Sequence, residues 1–288
     1  MFKNVSGMFA MLSLLGIFLN PEIASAHQPR IPYNNPVNVI DPEISKAYYG
    51  TLQGDPVTYR ISTLVPFSLY VNVLVPDIAG QKKDVSAAII KNSDTDHPVA
   101  VLEGINAPWQ KFYEPFGADT YWRGPEYKAQ VGPGLYEIKV WSSNNDSTYS
   151  LAIGEKESFN FSETLNALQL IPTIKQRFFH ESPATFLLSV LAIGYVIFMF
   201  GLAFMIGFAY RWILNRMAKD TIRKKSHNIG LHDRLVRAAI ALGLFFWSIL
   251  TTWSPWLLFF SGIALFEAIF SWCGIYAALG RNTCPIIQ

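Results

Sequence analysis

The sequence predicts two architectures in one chain: an outer antiparallel β-sandwich or jelly roll, and an α-helical membrane region with three transmembrane helices. Three observations carry this. Residues 186–210 read FLLSVLAIGYVIFMFGLAFMIGFAY with no charged side chain, enough helix at about 1.5 Å per residue to cross about 30 Å of hydrocarbon. Directly after it come Arg211, Arg216, Lys219, Arg223, Lys224 and Lys225, opposed by Asp220 alone, which is the basic excess of a cytoplasmic loop. Upstream, short alternating runs rich in Val, Ile and Tyr are separated by Gly, Pro, Asn and Asp, the pattern of strands and turns.

Average composition hides this division. The chain is 51% hydrophobic with a net charge of +2, yet residues 27–183 hold 13 Lys and Arg against 17 Asp and Glu. An acidic outer half argues against nucleic acid as a partner. Cys273 and Cys284 are the two cysteines, so the outer half has no disulfide and depends on its own core.

Taken in order, residues 1–26 have the parts of a secretory signal: Lys3, an apolar run over 8–19, and Ala24-Ser25-Ala26. Cleavage there makes His27 the first mature residue. Residues 27–161 form the expected sandwich. In the run 67–75, Phe67, Leu69, Val71, Val73 and Val75 share one strand face; Tyr136, Ile138 and Val140 share another, and Tyr149, Leu151 and Ile153 a third. The polar stretch 142–147 between the last two predicts a hairpin.

Three features of this half are candidates for chemistry. In 109–126, Trp109, Tyr113, Tyr121 and Trp122 lie near Glu114 and Asp119. Aromatic rings beside carboxylates suit carbohydrate, and paired carboxylates suit glycoside hydrolysis. Pro115, Gly117, Gly124 and Pro125 instead favour a long loop folded back on the sandwich, its rings forming a satellite core. The stretch 93–97, Ser-Asp-Thr-Asp-His, lacks the glycine and the further oxygens of a calcium loop and reads as a solvated turn. His27, once N-terminal, offers an amino and an imidazole nitrogen that together suit Cu(II). This resembles the histidine brace of exported copper proteins, and His97 is the candidate second ligand. Copper is the one cofactor the sequence suggests.

Residues 162–185 read as a connector. Ser162 is positioned to cap a helix from Glu163, Leu168, Ile171, Ile174 and Phe178 share a face, and Pro172 divides the run. The segment is expected to lie on the outer membrane surface. The first span, 186–210, is followed by a basic loop, 211–227, and by two further apolar stretches, 238–253 and 256–279. The uncharged 251–256 turn, with Trp253 and Trp256, makes them a hairpin with both ends inside.

Two sets of residues carry family resemblances. The runs 134–140 (GLYEIKV) and 149–154 (YSLAIG) resemble the last two strands of bacterial pre-peptidase C-terminal domains, which implies a binding or accessory role. Asn228-Ile229-Gly230, Asp233-Arg234 and Arg237, then an apolar hairpin, then Cys273-Gly274, Tyr276, Gly280 and Asn282-Thr283-Cys284-Pro285, resemble the YgaP-like inner-membrane domain over 228–285. Some members of that family are fused to a rhodanese domain and linked to sulfur chemistry. Here Gly274 stands where proline is usual and no rhodanese-like domain is present.

Within this region Glu267 lies inside the third stretch, where an ionisable group points to function or a partner. Ser248 or Thr251 on the facing helix are its expected hydrogen-bond donors. Arg234 and Arg237 are expected to meet lipid phosphates with Asp233 nearby. Cys273 and Cys284 read as free thiols at the inner headgroup boundary. The resulting expectation is a non-enzymatic protein of the bacterial inner membrane, N-terminal domain outside and C-terminus cytoplasmic. It contacts the lipid bilayer and a membrane or periplasmic protein partner, or a second copy of itself. Copper delivery through His27 is one alternative. Solute or sulfur-anion transport by an oligomer of the hairpins is another.

Overall fold

The computed structural model describes residues 27–158, 160–217 and 227–284. The expected signal at 1–26 and most of the basic loop lie outside the described residues. The chain separates into two compact units, Met1–Glu181 and Ser182–Gln288.

The first unit is a pair of sheets. Six strands run in the order β1 (Gln28–Arg30), β3 (Lys46–Thr51), β11 (Thr148–Ile153), β5 (Phe67–Pro76), β9 (Asp119–Val131) and β8 (Gln110–Glu114). Five run in the order β2 (Val37–Asn38), β4 (Val57–Thr63), β10 (Gly134–Trp141), β6 (Ser86–Lys91) and β7 (Ala100–Leu102). The inner faces share one apolar core. Its members include Phe67, Leu69, Val71, Val73 and Val75 from β5, Tyr136, Ile138 and Val140 from β10, and Tyr149, Leu151 and Ile153 from β11. Strict alternation along each strand selects these residues, because successive side chains point to opposite faces.

Two expectations are corrected here. The sheets are mixed, since β1 pairs parallel with β3 and β2 parallel with β4, each at a sheet edge. Nor do β10 and β11 form a hairpin. β10 pairs with β4 and β6, whereas β11 pairs with β3 and β5. The 142–147 stretch therefore carries the chain from one sheet to the other. Alternation records which face is buried but not which neighbour is bonded, and both strands bury one face in the same core.

The stretch 109–126 is also not a loop. β8 and β9 form a hairpin in register from Gln110↔Arg123 to Glu114↔Asp119. The prolines and glycines are used at its turn and at an irregularity against β5, where pairing shifts between Asn72 and Leu74. There Asn72 Nδ2 donates to the carbonyls of Gly124 and Pro125, 3.2 Å each. The shift changes the parity of β9, so Trp122 and Tyr127 both reach the inner core.

The connector departs from the expected surface helix. A helix α1 (Phe161–Thr173) is capped by Asn160, whose side chain accepts from Glu163 N, while Ser162 donates to Asn160. Pro172 lies in its last turn, and the chain continues as a π-helical turn, Ile174–Phe178. Ile174, Phe178 and Phe179 are buried with Leu74, Tyr121 and Ala152. The apolar face expected to meet lipid covers the outer face of the six-stranded sheet instead. That sheet has apolar side chains on both faces of β5, and the outer ones need cover.

In the second unit, a 3-10 turn (Pro183–Leu188) leads into α2 (Val190–Met217), α3 (Leu231–Thr251), α4 (Pro255–Phe270) and a short α5 (Gly274–Leu279). Among the described residues two helices, α2 and α3, are long and apolar enough to cross a membrane. The expected third span over 256–279 is interrupted, because Ser271 adopts a left-handed conformation (φ 52°) and ends α4 after 16 residues. Such a helix is about 24 Å long, less than the hydrocarbon thickness. Where α2 and α4 cross, a Cβ on Gly262 would come within 2.8 Å of the Ala203 side chain, and small residues permit that approach.

Candidate functional site

The aromatic and acidic residues of 109–126 divide between the two faces of β8 and β9. Trp109 and Trp122 pack against the inner core. The Trp109 indole donates to Gly104 O at 2.8 Å, and its ring lies so close to Gly124 that a Cβ there would sit 2.5 Å away. Trp122 donates to Asp77 Oδ1 at 2.8 Å, with the Lys83 ammonium 3.2 Å from its ring centre. Lys111 also pairs with Asp77 at 2.7 Å and holds that carboxyl below the usual range. Tyr113 is exposed and stands apart.

The other three residues meet on the outer face beneath the π turn. Glu114 is committed to its own turn, accepting from the amides of Phe116 and Gly117 at 2.7 Å each. Burial raises its pKa against those bonds. Asp119 pairs with Lys175 at 2.5 Å, and the two side chains are 6% and 1% exposed. Tyr121 shares a 3.0 Å hydroxyl contact with Tyr49, and burial pushes both phenols up. Lys175 and Tyr49 were not singled out by sequence. The available signal for Lys175 was a cation, with Arg177 two residues on, inside the apolar run IPTIKQRFF.

This arrangement leaves little free chemistry. The acids are consumed by backbone amides and one lysine, and the rings are packed. The cluster is a buried polar joint, with no carboxylate pair aimed at an open cleft.

His27 is partly buried, its Nδ1 hydrogen-bonded to Ser45 Oγ. Burial first, and Arg123 second, push its pKa down to about 4. His97 is exposed in the β6–β7 turn, 3.4 Å from Asp94. β1 is an edge of one sheet, whereas β7 is an edge of the other and approaches β9. His27 is bonded to Ser45 and His97 to Asp94, each within its own part of the sandwich. Among the described residues no group of three or more His, Cys, Asp or Glu is arranged to hold a metal.

In the membrane unit, the motif residues join the two ends of the α3–α4 hairpin. Asn228 is the centre. Its side chain donates to Cys273 O at 2.9 Å and accepts from Cys273 N at 2.8 Å. Its backbone N donates to Ser271 O and its carbonyl accepts from Thr283 N. Thr283 Oγ accepts from Gly230 N and donates to Asp233 at 2.5 Å. The break between α4 and α5 thus leaves polar backbone groups that Asn228 satisfies, as burial in an apolar medium requires.

The charged residues also differ from expectation. Arg237 is ion-paired with Glu267, and its guanidinium lies 5.2 Å from the Tyr276 ring centre. Arg234 donates to Ala268 O at 2.8 Å. Both arginines therefore bond to α4, where lipid phosphates were expected, and Glu267 takes Arg237 where Ser248 or Thr251 was expected. Ser248 instead donates to Ser254 O, and Thr251 to Trp247 O. Cys273 is buried and Cys284 is half-buried, both free. Trp253 is buried, donating to Pro183 O at 2.9 Å, while Trp256 is exposed.

Comparison with solved structures gives similarity to a pre-peptidase C-terminal domain of collagenase from Bacillus anthracis, at 9% identity and a TM-score of 0.25, over 45% of this chain and 95% of that one. A CBM35 module from Cellvibrio japonicus is similar at 13% identity and a TM-score of 0.22, over 36% and 68%. A CBM35 in complex with a glucuronic acid containing disaccharide is similar at 12% identity and a TM-score of 0.25, over 48% and 93%. No curated protein matches the chain. Residues 225–286 match the family described as inner membrane protein YgaP-like, transmembrane domain. The C-terminal part of this membrane protein is a YgaP-like transmembrane domain, and Asn228, Asp233, Arg234, Arg237 and Thr283 are the residues that fasten it.

Proposed function

We propose that the protein presents its β-sandwich on the outer side of the inner membrane as a non-enzymatic binding domain for a protein partner, with the YgaP-like domain as its anchor. The observation that carries this reading is the fate of the candidate site residues. Glu114, Asp119, Asp233, Arg234, Arg237 and Glu267 are each bonded within their own unit. Acids and bases that the sequence offered for carbohydrate chemistry, lipid contact or transport are bonded into the fold.

One end of the sheets presents an apolar surface. An open groove of about 660 Å³ is lined there by Val39, Ile40, Arg60, Val65, Phe67 and Leu135, among others. Beside it Leu64 is 95% exposed, Ile40 74% and Val65 63%. Apolar side chains so placed suit a partner surface. The basic residues that follow the uncharged run 186–210 support the orientation, sandwich outside and 211–225 inside.

A photo-reactive residue at Leu64, in the full chain in its native membrane, tests the reading. A discrete protein adduct is expected from position 64, absent from a probe at exposed Ser143 and lost when Ile40 and Val65 are changed to Asp. Equal adducts from both positions, or none, would overturn it.

A further inference from the structure

The segment that ends the first unit is held by charge as well as by apolar contact. The π turn brings Lys175 to Asp119 in a pair with almost no solvent exposure. Glu114 from β8 and Glu181 from beyond the turn both add negative potential at Asp119. Tyr49 from β3 and Tyr121 from β9 face the same carboxylates. Phe179 lies 5.7 Å from the Lys175 ammonium, and Arg123, two strand positions beyond Tyr121, is engaged over the Phe112 ring at 4.2 Å. One buried ammonium therefore faces buried Asp119 and half-buried Glu114, with exposed Glu181 adding to the negative potential. An unbalanced acidic joint of this kind holds a proton more firmly closed than open.

We propose that residues 174–181 form an acid-tightened clasp, docking on the outer face of the six-stranded sheet with uptake of a proton at the Glu114–Asp119 pair and loosening as that proton leaves. Opening uncovers Tyr121, Phe178 and Phe179 at the point where the chain passes to the membrane unit. The clasp does not depend on what the sandwich binds.

The sign follows from linkage. Burial, with Glu114 and Glu181 adding and Lys175 opposing, raises Asp119 from 3.8 to about 7 when docked. The stabilisation is complete below the undocked value, is lost as pH rises toward 7, and changes no further above it. In that window a single linked proton alters the docking equilibrium by up to about tenfold per pH unit.

Hydrogen exchange of 174–181 in the full chain, in lipid nanodiscs and corrected for intrinsic rates, reads this directly. Protection is expected to fall between pH 5 and 7 and to level off above. Asp119→Asn is expected to flatten that slope, and Glu114→Gln to move its midpoint to lower pH. If Asp119→Asn does not fold, the Glu114→Gln shift decides. Protection independent of pH in the unaltered chain, or a slope unmoved in the variants, would overturn the clasp.

Discussion

The two units bury polar groups in opposite ways. In the sandwich, the space between the sheets is apolar apart from hydroxyl contacts such as Tyr59 to Tyr149 at 2.9 Å, and its buried ion pair lies outside, under the π turn. In the YgaP-like unit the polar groups gather where α4 is broken, and they bond mainly to backbone. The difference follows from the solvent each unit displaces. Water rewards the sandwich for apolar area, whereas lipid tails are as apolar as the helices themselves. Packing of small residues and completed hydrogen bonds must then hold the hairpin together.

A methylene deletion and a hydrogen-bond deletion are therefore expected to damage different units. Leu69→Ala, at a fully buried β5 position, is expected to cost about 3 kcal/mol in the sandwich. Tryptophan-detected denaturation of the full chain would measure it, with the YgaP-like unit unmoved. Concerted loss of both units would break the distinction. Asn228→Ala is expected to cost the membrane unit about 2 kcal/mol, because two Cys273 backbone groups lose their partner. The accompanying sign is faster alkylation of Cys273, which is 1% exposed.

Smaller effects sharpen the same comparison. Gly262→Leu places bulk against Ala203 and Phe200, and overpacking of about 1–2 kcal/mol is expected, read as a lower melting temperature in detergent. Trp109→Phe keeps the ring but removes its bond to Gly104, for about 1 kcal/mol in the sandwich. At the low end, Lys82→Ala breaks an exposed pair with Asp146. A change under about 0.5 kcal/mol is expected from urea midpoints.

The strands that face the shared core were legible in the sequence because alternation at β5, β10 and β11 depends on one variable, burial. Strand partners were not. The 142–147 stretch has the composition of a hairpin turn, yet the two strands it joins enter different sheets, each at an inner position between two partners. The connector misled for a related reason. Leu168, Ile174 and Phe178 show that one face is apolar, and such a face fits a sheet as well as a bilayer. In the YgaP-like unit the spacing of Asn228, Arg237 and Cys273 marked the fastening residues, while their bonds to one another depended on the break at Ser271. A left-handed serine within an apolar run leaves no signal in hydrophobicity.

The orientation we propose places the sandwich outside and the YgaP-like end inside. Single cysteines at exposed Asn144 and exposed Arg281, in a chain carrying Cys273→Ser and Cys284→Ser, test it with a membrane-impermeant maleimide on intact spheroplasts. The account predicts that position 144 is labelled at once and position 281 after permeabilisation alone. Labelling of position 281 in intact spheroplasts, with position 144 protected, would contradict it.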